Sequence, residues 1–166
     1  MKSIALIGLT AALFLGFQSH RTDFSGTWRL DKNKSDHLPP SFQHVDAYTL
    51  DARQSKDTLK VSITLEGSGQ HVTFPLSFYT FTGKEVYRVD SLRGTKRRSK
   101  GSWSKDGQQF TVESRVEQKL GDAEQKFTEH EVWQLAGPDL LRISLTKKTG
   151  DGKGDHSERR YFRRVQ

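Results

Sequence analysis

The chain has 166 residues, enough for one domain with its own core; 33% are hydrophobic and the formal charge is +7. A mean hydropathy of −0.75 is low for a globular protein but suits sheets that keep one face in water. Cysteine is absent, which excludes disulfides, thiolate metal sites, cysteine nucleophiles and lipid attachment through cysteine.

Met1-Lys2-Ser3 carries one cation, and the 14 residues from Ile4 to Phe17 are almost unbroken apolar sequence. That run falls short of the roughly 17–25 residues a membrane helix needs and fits a signal-peptide core. Residues 1–19 are therefore expected to be a leader, although a cut after Ser19 leaves Phe17 where a small residue is favoured. Residues 20–166 then form one exported domain, periplasmic or extracellular, with no stable membrane span after cleavage. Loss of Lys2 takes the charge from +7 to +6, a surplus that favours anionic surfaces.

Phe24-Ser25-Gly26-Thr27-Trp28-Arg29-Leu30 predicts a first strand at 24–30. Asp31 to Ser41 is turn chemistry, closed by Pro39-Pro40. Leu59, Val61, Ile63 and Leu65 then alternate with Lys60, Ser62 and Thr64, one apolar and one polar face. Val72, Phe74, Leu76 and Phe78 repeat the pattern, as do Phe110, Val112 and Val116, and Leu141, Ile143 and Leu145. Turn signals such as Gly67-Ser68-Gly69, Asp106-Gly107 and Gly137-Pro138-Asp139 separate these runs. The remaining strands are expected at 46–52, 58–65, 71–79, 85–91, 95–103, 109–117, 125–135, 140–147 and 155–165. No window keeps helical periodicity. An all-β, antiparallel up-and-down meander of about ten strands follows, and closure into a barrel is the most direct way to hide its edges.

The Phe-Ser-Gly-Thr-Trp-Arg-Leu strand, with the Lys-Ser loop Asp31-Lys32-Asn33-Lys34-Ser35 after it, resembles the opening of the calycin superfamily. It looks closest to exported bacterial lipocalin-like proteins of uncharacterised function. The other end resembles fatty-acid-binding proteins, whose last strand carries Arg-x-Tyr; Arg159-Arg160-Tyr161 has that spacing. This resemblance implies a lipocalin-like barrel in which Arg159 and Tyr161 hold a ligand carboxylate. It covers the first strand, the last strand and the strand count. The two helices that fatty-acid-binding proteins insert after the first strand have no room between Asp31 and Val45.

Trp28 has two readings: a plug at the closed end, covered by Arg159 or Arg163 as a cation–π pair, or a direct ligand contact. Arg159 and Arg163 alternate with Arg160 and Arg164, so one pair points inward. An inward guanidinium needs an anionic ligand or an internal carboxylate, for which Glu129 and Glu131 share a face with Phe127 and Trp133. Arg93, Lys96, Arg97, Arg98 and Lys100 form the densest basic segment, followed by Trp103. It reads as a solvated strand or as a contact for lipopolysaccharide, anionic lipid or another polyanion; nucleic acid is not expected for an exported protein with one nearby tryptophan.

His20, His37, His44, His71, His130 and His156 show neither HxH nor HExxH spacing, so no metal is expected. Asp31-x-Asn33-x-Ser35 and Asp151-x-Lys153-x-Asp155 read as turn caps, not calcium loops. No nucleophile elbow, P-loop or dinucleotide fingerprint is present, and Glu129 and His130 fall on opposite strand faces. The sequence expectation is a non-enzymatic, cofactor-free binding protein for a small lipophilic or carboxylate-bearing molecule. Its alternative is a module with a filled interior that binds polyanionic envelope surfaces.

Overall fold

A computed structural model of the chain describes residues 21–90, 94–121 and 123–165. The leader expected at 1–19 and Arg93 lie outside the described residues. Among the described residues no helix is long and apolar enough to cross a membrane.

Eleven strands follow in chain order: β1 Gly26–Leu30, β2 Ala47–Gln54, β3 Thr58–Gly67, β4 Gln70–Thr73, β5 Ser77–Thr80, β6 Val86–Asp90, β7 Thr95–Trp103, β8 Gln109–Leu120, β9 Ala123–Gly137, β10 Leu140–Thr149 and β11 His156–Arg164. A single 3-10 turn, Pro40–His44, interrupts the loop after β1. All pairings are antiparallel. Alternation of apolar and polar residues therefore located nearly every strand, because the pleat sends successive side chains to opposite faces.

The exception is the segment expected as one strand at 71–79, which is two. Pro75 has no N–H to give to a ladder, and the chain breaks around it. The inward phase changes across the break: Leu76 is 51% exposed, and Tyr79 is the buried residue of β5. The single apolar face expected from Val72, Phe74, Leu76 and Phe78 does not form.

The first and last strands meet, as closure would have them: β1 pairs with β11, Trp28 opposite Arg164 and Leu30 opposite Phe162. Closure fails elsewhere. The hydrogen-bonded path runs β4-β3-β2-β1-β11-β10-β9-β8-β7-β6, with β5 following β4 along the edge of β3. No ladder joins β5 to β6 or β7, so the sheet is open and the closed calycin barrel is not formed. The sheet curls far enough to bring β5 close to β7. A Cβ built on Gly101 would sit 2.8 Å from the Thr80 carbonyl and 2.5 Å from Phe110 Cζ. A side chain spans the gap instead of a ladder: Arg88 Nη1 donates to the Leu76 carbonyl at 3.0 Å.

The core gathers Phe24, Trp28, Leu59, Phe110, Trp133, Leu141 and Phe162, all essentially inaccessible. The indole N–H of Trp28 donates to the Phe24 carbonyl at 2.9 Å. Its ring is covered by the guanidinium of Arg164, 4.2 Å from the centroid, whose Nη1 donates to the Ser25 carbonyl at 2.9 Å. Trp28 is thus the plug, but its cover is neither Arg159 nor Arg163. Phe162 is buried, and period two then turns Glu158, Arg160 and Arg164 inward with it. Gly26 makes room for the stack: its φ is +139°, and a Cβ there would lie 2.4 Å from Arg164 Nη1.

Trp28→Ala is expected to cost about 3–5 kcal/mol, the range for emptying a buried aromatic site. Arg164→Ala is expected to cost less, about 0.5–2 kcal/mol, the range for a cation–π contact. Urea denaturation of both variants against the unmodified protein measures the order.

Candidate functional site

The inward faces of β8 to β11 form rows that change character along the strands. Phe110, Trp133, Ile143 and Arg160 stand side by side, then Val112, Glu131, Leu145 and Glu158, then Ser114, Glu129, Lys147 and His156. Apolar side chains thus fill one end and charged ones the other. Between this charged region and β2–β3 lies a cavity of about 360 Å³. One wall is Leu50, Ile63 and Leu65; the other carries Glu129, Glu131, Trp133 and Arg160. Its mouth includes Phe74, Pro75 and Val89, beside the gap between β5 and β6.

The interior cations are matched. Arg97 Nη1 lies 2.5 Å from Glu129 Oε2. Arg160 Nη2 donates to Glu158 Oε1, and Glu158 is almost wholly buried. His156 Nε2 is 3.5 Å from the other Glu158 oxygen, within ion-pair reach but not aligned as a hydrogen bond. Arg160 also lies over Phe42 and Tyr48, 5.2 and 5.9 Å from their centroids, and its Nη1 reaches the Tyr48 hydroxyl at 3.5 Å. Phe42 comes from the 3-10 turn and stacks on Tyr48 at 5.7 Å, so this turn covers one end of the cavity. For Arg97 and Arg160 burial opposes the charge, but neighbours outweigh it: Glu129, Tyr79 and Glu131 for Arg97, and Tyr48, Glu158 and Glu131 for Arg160. Both guanidiniums are held more firmly protonated than usual.

Glu131 is the exception. Its Oε2 accepts from the Trp133 indole N–H at 3.2 Å, and no arginine bonds it among the described residues. Burial pushes its carboxyl above the ordinary 4.5, against the lowering pull of Arg97. The residue keeps partial accessibility because it faces the cavity. Burial also raises the phenols of Tyr79 and Tyr48, so both remain neutral donors.

The residues expected to hold a ligand carboxylate lie on the outer face. Arg159 Nη2 pairs with Asp36 at 3.1 Å, and Arg163 Nε with Asp31 at 2.8 Å. The Tyr161 amide donates to Ser35 Oγ at 3.0 Å, and Lys34 Nζ lies 5.5 Å from the Tyr161 ring. These three residues clamp the loop from Asp31 to Asp36, and the Arg-x-Tyr resemblance does not carry over. Trp28 is sealed from the cavity. The basic segment splits by alternation: Lys96, Arg98 and Lys100 face solvent, and Arg97 turns in to Glu129. Glu129 and Glu131 share the inward face with Phe127 and Trp133, as alternation predicts. Inward Arg160 is one of the two alternatives that alternation leaves open for the last strand, whereas Glu158, Tyr48, Tyr79 and Phe42 went unpredicted. Phe162 held the missing signal, since an apolar residue between Tyr161 and Arg163 sets the phase of the last strand. Among the described residues no cluster of three or more His, Asp or Glu is placed to hold a metal ion.

No family model matches the chain. No curated protein matches it. Among solved structures, a conserved protein of unknown function with a hot dog fold from Alicyclobacillus acidocaldarius is similar at 9% identity, over 89% of this chain and 82% of that one, with a TM-score of 0.32. At that score the likeness assigns neither fold family nor activity. With no family match and an open sheet, the lipocalin and fatty-acid-binding resemblance is withdrawn. The expectation of a non-enzyme gains nothing from a neighbour whose own function is unknown.

Glu131 binds a proton more readily folded than unfolded, so its contribution to stability is complete below 4.5 and is lost as pH rises through its raised value. Glu131→Gln removes that loss. Urea denaturation across a pH series should show the variant gaining on the unmodified protein as pH rises through that window; a pH-independent difference contradicts the assignment.

Proposed function

We propose that the chain is an exported binding protein for a small amphipathic molecule, held in the cavity between β2–β3 and β9–β11. The observation that carries this reading is the two-sided lining. Leu50, Ile63 and Leu65 offer an apolar wall, and Tyr48, Glu131 and Arg160 offer polar groups opposite it. A volume of about 360 Å³ sits in the range of small-ligand pockets. Val89 and Leu76, about half exposed near the gap, give an apolar tail a greasy entrance. The head group belongs to the inward wall, not to Arg159 and Tyr161. A carrier fits better than an enzyme because Glu129 and Glu158, the obvious acid–base candidates, are engaged by Arg97 and Arg160.

Native mass spectrometry after gentle purification, followed by titration with a fluorescent alkyl-chain probe, tests the reading. Retained mass or one-to-one uptake is expected. Ile63→Trp, which fills the apolar wall, should weaken uptake by about tenfold or more, roughly 1.4 kcal/mol. Neither retained mass nor uptake removes the proposal.

A second reading, contact with a polyanionic surface, has one specific observation in its favour. Arg98 and Arg115 face each other across β7 and β8, and both converge on Glu85, at 3.5 and 3.0 Å. Like charges directly opposite are unfavourable in a sheet, and an external anion would relieve them. Lys96 and Lys100 flank this pair on the same outer face. Adsorption to anionic vesicles should then fall steeply between low and high salt; salt-independent adsorption removes it.

A further inference from the structure

We propose that the ligand carries a cationic head, an alkylammonium group seated against Glu131 among Tyr48, Tyr79 and Trp133. This inference rests on the carrier reading and names the ligand class of the same cavity.

The arginines are poorly placed to receive an anion. Arg97 already holds Glu129 at 2.5 Å, Arg160 holds Glu158, and Arg88 donates to the Leu76 carbonyl at 3.0 Å. A ligand carboxylate would have to displace a protein carboxylate from a partner beside it, with no gain in the number of ion pairs. A bare additional anion in this enclosed space would also face Glu131.

Glu131 stands in the opposite position. It lines the cavity, and its one hydrogen bond among the described residues is from the neutral Trp133 indole. The charged groups around it come from several strands: Arg97 on β7, Glu129 on its own strand, Glu158 and Arg160 on β11, with Tyr48 on β2 and Tyr79 on β5. Arg97 pairs with Glu129 and Arg160 with Glu158, which leaves Glu131 with the neutral Trp133 indole as its hydrogen-bond partner. Arg88 and Asp90 offset each other at the mouth. The Lys147 ammonium lies over the Phe127 ring, 3.9 Å from its centroid, and His156 stands beside Glu158; neither lines the cavity.

The rest of the lining suits a cation. Tyr79 and Trp133 are aromatic, and π systems attract an ammonium most strongly where water is scarce, while Tyr48 lies beneath Phe42 and Arg160. Leu50, Ile63 and Leu65 take the tail. Burial raises the Glu131 pKa against the lowering pull of Arg97, and a cation beside the carboxylate would favour its charged form.

The test is isothermal titration of the purified protein with decylamine, decanol and decanoate, which share one tail and differ in head. At pH 8 decylamine should bind about tenfold or more tighter than either other probe, the scale of a charge-assisted hydrogen bond. Its advantage over decanol should shrink as pH falls below the raised Glu131 value, a measurement that needs no variant. In Glu131→Gln the amine-to-alcohol affinity ratio should approach one. Decanoate binding tightest, or amine and alcohol binding equally in the unmodified protein, overturns the cationic head and leaves the carrier reading standing. If none of the three binds, the carrier reading falls, and this inference with it.

Discussion

The structure depends on the stack of Arg164 over Trp28. It sits where the first and last strands pair, so one contact joins the two ends of the described chain and seals the apolar end of the sheet. The cation–π attraction is modest, about 0.5–2 kcal/mol. Burial of the indole contributes more, and the arginine makes that burial feasible by covering the open face of the ring. Gly26 is part of the same device, since any side chain there would push the guanidinium off the ring. With β1 held against β11, the inward phase of the last strand is set, and with it the positions of Arg160 and Glu158.

That phase decides the chemistry of the interior. Four consecutive residues, Arg159 to Phe162, give each face one arginine and one aromatic ring, and parity tells lid from lining. The odd residues fasten the Asp31–Asp36 loop, and the loop leads to the 3-10 turn whose Phe42 covers Tyr48. The even residues turn inward, and Arg160 among them lines the cavity. The outer clamp and the inner site are therefore two faces of one strand.

Much of the fold was legible in the sequence. Strands with alternating polarity announced themselves, because a half-buried sheet imposes period two, and the meeting of the Gly-Thr-Trp segment with the arginine-rich last strand followed from the expected closure of the meander. What was not legible depended on contacts between distant segments. Pro75 looked like one residue in an alternating run, but it broke that run in two and shifted the phase as far as Tyr79. Trp28 was readable as a plug, and its partner was not, since choosing among Arg159, Arg163 and Arg164 required knowing that Phe162 is buried. The site was the least legible part. Glu131 and Trp133 stood out only as strand neighbours, and nothing local tied them to Tyr48, Tyr79 or Arg160.

The gap between β5 and β6 has a mechanical consequence. Elsewhere, separating neighbouring strands means tearing a row of peptide hydrogen bonds at once. Here the spanning bond identified is a single guanidinium on a flexible stem, from Arg88 to the Leu76 carbonyl. The seam is thus a junction in the wall held without a ladder, and side-chain packing there can yield while the tryptophan-sealed base stays undisturbed.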